Sequence, residues 1–165
     1  NDLLELSRLQ NPDYIIEKSE LNLPDVVEDA VRSIRHIAED KQIKLVYETQ
    51  GTTFPVIGDY GRLRQMFLIV LDNAVKFSDK SQQVEVTIES KEQSCHVSIA
   101  NHGIGISEED MPHIFERFYK SDDEKNRKGT GLGLAIAKHI ADRHGIRIYV
   151  ESEQGNATRF TFVFD

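Results

Sequence analysis

Apolar residues recur at helical spacing in three long stretches of the chain. Val26, Val27, Ala30, Val31, Ile34 and Ile37 mark one face of a helix that opens at Leu23-Pro24-Asp25 and runs to about Lys41, proline being compatible with a first helical turn. Leu63, Met66, Phe67, Val70, Ala74 and Phe77 mark a second, with Asp59 placed to cap its start. A third spans residues 132–144 and stops at Gly145, a residue suited to a left-handed C-cap. Strand-like segments lie between them: 43–49, a short piece at 55–57, then 84–90 and 96–101 as adjacent strands. A final pair, 146–151 and 158–164, is joined by a turn at Gly155-Asn156. Helices interleaved with hairpins predict an α+β fold, an α/β sandwich with helices on one face of a largely antiparallel sheet.

Two stretches depart from this rhythm. Leu3, Leu4, Leu6 and Leu9 share a helical face that ends before Asn11-Pro12. So short a helix is unstable alone and reads as the tail of a longer one. The chain also begins at Asn1, already inside that pattern and without a methionine, as expected of a trimmed piece. Residues 102 to about 131 are rich in glycine and charge, with one short helical piece at 108–115. A stretch that long with little structure of its own is expected to be functional or mobile.

Composition narrows the class. A chain of 165 residues is one domain, or one domain with a remnant of a neighbour, and 39% hydrophobic residues suffice for a sizeable core. A net charge of -8 excludes a broad nucleic-acid footprint, though not a locally held polyphosphate. The single cysteine, Cys95, forms no internal disulfide and fits a reducing compartment, the cytoplasm. No apolar run reaches the ~20 residues needed to cross a bilayer.

Candidate chemistry sits in a few short motifs. The helix after Asp59 carries a second stripe, Arg62, Gln65, Ile69, Asn73 and Lys76, all facing one way. A solvated face is the ordinary reading. The alternative gives Asn73 an amide oxygen for Mg²⁺, which favours a few oxygen ligands plus phosphates and water, and sets Lys76 against phosphate. Three glycine clusters follow: NHGIGI (101–106) after a strand, GTGLGL (129–134) opening a helix, and GNATRF (155–160) in the last hairpin. In GTGLGL, glycines and a helix start together favour an anion. It is neither a Walker A loop, lacking Gly-Lys-Ser/Thr, nor a Rossmann turn, lacking a parallel βαβ unit.

DNAVKF (72–77), NHGIGI, FERFYK (115–120), GTGLGL and GNATRF, in that order, resemble the ATP-binding catalytic domain of bacterial sensor histidine kinases, where they are the N, G1, F, G2 and G3 boxes. The likeness runs from about residue 20 to the end, and residues 1–11 resemble the close of the dimerisation helix that precedes this domain. The resemblance implies a Bergerat-type sandwich: a mostly antiparallel five-stranded mixed sheet on about three helices, with a mobile ATP lid at about 107–128. Asn73 would bind Mg²⁺, with Lys76 and Lys120 stabilising phosphate. Phe77 would lie against the nucleotide, and Gly103, Gly105 and Ile106 would line the adenine, with Asn101 reading its amino group. Phe115 and Phe118 would anchor the lid while Tyr119 and Lys120 reach inward. Gly129, Thr130, Gly131, Leu132, Gly133 and Leu134 would make the hinge and phosphate loop, and Thr158 would border the base.

The implied reaction is transfer of the ATP γ-phosphoryl group to a histidine on dimerisation helices outside this chain. None of its histidines (His36, His96, His102, His113, His139 and His144) lies in the family's acceptor box. The implied partners are those helices and a cognate response regulator. The resemblance implies a homodimeric parent anchored in the bacterial cell membrane, as most such kinases are, with this domain in the cytoplasm. The fragment alone is expected as a monomer, without nucleic acid.

Three positions depart from the family pattern. Asn101 stands where aspartate is usual, keeping one acceptor oxygen but losing charge and gaining donors. Ile69, one turn before Asn73, replaces a usually polar residue that serves as general base in related ATPases. Ala157 stands where glycine is common. The competing readings are therefore a degenerate nucleotide-binding module that transfers no phosphate, and another ATPase or serine kinase of the same superfamily.

Overall fold

A computed structural model of the chain describes residues 1–50, 53–120, 131–153 and 156–165. Its elements in order are α1 (Asp2–Gln10), β1 (Ser19–Asn22), α2 (Leu23–Asp40), β2 (Lys44–Gln50), β3 (Pro55–Gly58), α3 (Tyr60–Phe77), β4 (Gln83–Lys91), β5 (Ser94–His102), α4 (Gly133–Arg143), β6 (Arg147–Ser152) and β7 (Ala157–Phe164). The sheet order is β2-β4-β5-β7-β6. β2 pairs parallel with β4, and every other pair is antiparallel. The expected five-stranded mixed sandwich is present.

The sheet turns one face to the helices. Val84, Val86 and Ile88 of β4, Cys95, Val97 and Ile99 of β5, and Phe160 and Phe162 of β7 are buried there, as period-two alternation requires. They meet Leu63, Met66, Phe67, Val70, Leu71, Ala74 and Val75 of α3, with the Phe67 and Phe162 rings edge to face at 5.1 Å. Leu71 and Val75 extend the buried face beyond its predicted members. Phe77, predicted in the core, is only half-buried at the end of the helix.

The caps follow the sequence. Asp59 accepts from the Arg62 N–H at 3.1 Å and starts α3. α4 ends with Gly145 at φ +68, the Ile146 N–H bonding Ala141 O and the Gly145 N–H bonding Asp142 O, a Schellman closure. His144 ties these two helix ends together. Its Nε2 accepts from the Asp59 N–H at 3.0 Å, so the ring proton sits on Nδ1 and is donated to Ile140 O at 2.8 Å.

Three elements differ from expectation. β1 was not foreseen; its four residues do not alternate, and it forms through pairing with β3 in a separate two-stranded ribbon. The helical piece expected at 108–115 is a single 3-10 turn, Met111–His113, because Pro112 supplies no N–H to extend it. On α1, Leu6 and Leu9 are buried while Leu3 and Leu4 are exposed.

Candidate functional site

The helix-facing side of the sheet changes character at one end. One cross-strand row, Val86, Ile99, Phe160 and Val150, is apolar; the next is Val84, Asn101, Thr158 and Ser152. Asn101 and Thr158 are each 5% exposed. The Ser152 and Thr158 hydroxyls lie 2.7 Å apart, and Ser152 Oγ also accepts from the Ile106 N–H at 2.7 Å. The Asn101 amide has no hydrogen-bond partner among the described residues, yet neither of its polar atoms is sealed from solvent. A nearly buried polar side chain that is not tied to the protein is available to a ligand.

The first glycine segment passes beside it. The Gly103 N–H donates to Asn156 O at 3.0 Å, and Gly103 bridges Ser78 just past α3. A Cβ on Gly103 would sit 2.0 Å from the Phe77 carbonyl oxygen, so only glycine allows this approach. Gly105 takes φ +74, which turns the chain back and leaves Ile106 half-buried on Ser152.

The α3 stripe of Arg62, Gln65, Ile69, Asn73 and Lys76 is half-buried throughout rather than fully solvated. Its first part is occupied by the N-terminal segment. Arg62 pairs with Glu5 and donates to Gln65 Oε1 at 2.9 Å and Tyr14 Oη at 2.8 Å. This arrangement lowers the Glu5 carboxyl below its ordinary range, chiefly through the Arg62 hydrogen bond. Its middle residue, Ile69, lies 3.4 Å from where a Cβ on Gly133 would be. Asn73 and Lys76 occupy the last turns, with Lys76 Nζ 5.4 Å from the Phe77 ring centre.

The second glycine segment approaches α3 at Ile69, one turn before Asn73. Gly131 takes φ +76, and its carbonyl accepts from the Phe118 N–H at 2.8 Å. Leu132 is buried, and α4 begins at Gly133 and Leu134 without a side-chain cap. Gly129 and Thr130 lie outside the described residues, as does the 121–128 part of the expected lid and Gly155 of the last motif. In the described part, Phe115 packs edge to face on Phe160 at 6.3 Å, whereas Phe118 is 55% exposed at φ +64. Tyr119 donates its hydroxyl to Asp110 and lies 5.2 Å from the His113 ring, and Lys120 is exposed.

Comparison with known proteins names the fold. A family model described as histidine kinase-, DNA gyrase B-, and HSP90-like ATPase matches residues 58–165. The chain belongs to this ATPase family. Among curated members, the sensor histidine kinase YkoH of Bacillus subtilis is 36% identical over 99% of the chain. The chain spans 37% of that protein's length. Full-length ShkA in complex with AMPPNP superposes with a TM-score of 0.87 at 27% identity, over 99% of this chain and 34% of that one. The histidine kinase ThkA, in complex with the response regulator protein TrrA, gives 0.79 at 26% identity, over 99% and 45% respectively. Within the ATPase family the chain is a catalytic, ATP-binding domain of the sensor histidine kinase type.

Ser152 was missed by sequence reasoning. Its signal was there: Ile148, Val150 and Ser152 share one inward-facing register, and the polar member ends it. The Arg62 cluster was equally hidden, because its partners come from residues 5 and 14.

Proposed function

We propose that this chain holds ATP with Mg²⁺ between its first glycine segment and the last turns of α3, and supplies the γ-phosphoryl group to a histidine on a dimerisation helix of its parent. The buried, unpartnered Asn101 amide carries this reading: it is a recognition group without a protein partner, set beside a glycine that admits a close approach. The donor chemistry suits the metal too. No group of three or more His, Cys, Asp or Glu among the described residues could cage a cation, and Mg²⁺ held largely by phosphates and water asks the protein for little more than one oxygen. Asn73 would give it.

The residues act by position and charge, the usual protein share in phosphoryl transfer. Asn101, with Thr158 and Ile106, would orient the base; Lys76 and the start of α4 would face the phosphates; Lys120 would join them from the lid. Ile69 has no polar group to activate water and packs towards Gly133, which favours transfer to an acceptor over hydrolysis. None of the six histidines lies in the family's acceptor box, and His144 is held by two hydrogen bonds at the start of α3. The parent would be a homodimeric, membrane-anchored kinase that passes phosphate to a response regulator, a partner class with which ThkA forms a complex.

The test joins this chain to upstream helices carrying an acceptor histidine and measures acid-labile phosphate incorporated from ATP and Mg²⁺. Incorporation lost in Asn73→Ala supports the kinase. Measurable ATP binding with no incorporation supports instead the non-transferring module that Asn101 and Ile69 would permit.

A further inference from the structure

We propose that Asn101 makes the base pocket tolerant of the purine 6-position, so that the chain accepts 6-oxopurine as well as 6-aminopurine nucleoside triphosphates. This deepens the nucleotide reading above and rests on it. A carboxylate at this place only accepts hydrogen bonds, and so selects an amino group. A primary amide presents an acceptor oxygen and a donor nitrogen side by side. Adenine offers an N6–H donor next to the N1 acceptor; hypoxanthine and guanine offer the O6 acceptor next to an N1–H donor. An amide matches the first edge in one orientation and the second after a half-turn about its terminal torsion.

Whether the amide can turn depends on what else holds it. Asn101 is 5% exposed, so its reach is fixed by its strand, but its amide has no hydrogen-bond partner among the described residues. The nearest polar neighbour in its row is Thr158, whose hydroxyl is engaged with Ser152 at 2.7 Å. Ser152 in turn receives the Ile106 N–H. The protein thus fixes the pocket wall and leaves the orientation of its reading group to the ligand. A buried reader with both a donor and an acceptor and no second tie cannot discriminate between the two edges.

The experiment measures dissociation constants of ATP and ITP for the 165-residue chain in MgCl2 by calorimetry. ITP isolates the 6-position because it lacks guanine's 2-amino group. The wild-type chain is expected to bind both within about 3-fold, since each edge can be fully paired. In Asn101→Asp, ITP should fall behind ATP by about 10-fold or more, the consequence of facing acceptor against acceptor. That change of ratio is one that a merely structural role would not produce. A wild-type preference for ATP above about 10-fold overturns the inference while leaving the nucleotide site intact. So does a folded Asn101→Asp chain with the wild-type ratio. If Asn101→Asp fails to fold, the wild-type ratio decides alone. Binding of neither nucleotide overturns the site reading itself, and this inference with it.

Discussion

Gly103 and Cys95 show how single positions are constrained by what surrounds them. At Gly103 a Cβ would meet the Phe77 carbonyl at 2.0 Å, and neither backbone can yield without disturbing the end of α3. Gly103→Ala is expected to cost about 1–3 kcal/mol, the usual range for overpacking, lowering Tm by on the order of 5 °C in a thermal melt. An unchanged Tm would remove the packing role. Cys95 is fully buried, and burial pushes its thiol up to about 11. Thiol reagents at neutral pH should label it only as fast as the chain unfolds, and rapid labelling of the native protein would contradict that burial. Asn101 and Gly103 were both legible in the sequence because their motif marks them. Ser152 was not, since its importance comes from the strand beside it rather than from its own neighbours in the chain.

The elements divide between those the chain specifies locally and those imposed by contact. α2, α3 and α4 were readable from period and caps alone. β1 was not, because its reason for being extended is β3, more than thirty positions downstream. α1 was legible as a helix from its leucines, but its seat was not: nine residues held by Leu6, Leu9 and the Arg62–Glu5 pair, with Arg143 donating to the carbonyls of Leu9 and Tyr14. Leu6→Ala is expected to cost about 2–5 kcal/mol locally, raising amide exchange across α1 while the sheet stays protected. Equal exchange in wild type and variant would show that α1 is not held by its leucines. Glu5 adds an acid limb. Its carboxyl is depressed in the folded chain, so its contribution is present above the ordinary value of 4.5 and is lost as the pH falls below it. Protection of α1 should therefore decline on that side, and Glu5→Gln should flatten the profile.

At the scale of the molecule, His144 joins the start of α3 to the end of α4. Burial pushes its imidazole below the ordinary 6.5, aided by Lys18 and Arg143, while the Ile140 carbonyl and Asp59 work the other way. The unfolded chain thus takes up the proton first, so stability present above about 6.5 is lost as the pH falls through the folded value. Urea midpoints should drop across that interval, and His144→Phe should remove this portion of the slope. The comparison needs only the difference between the two curves. A wild-type curve that is flat there would show that folding leaves the ring's proton affinity unchanged.

The seat of α1 also has an order in time. α1 is made well before α4, yet it packs against α4, and Arg143 reaches it from that helix. During synthesis from the N-terminus, its docking surface does not exist until α4 has emerged. β2 similarly waits for β4 before it has a neighbour in the sheet. α1 therefore takes its seat only after the strands and helices that separate it from α4 have been made.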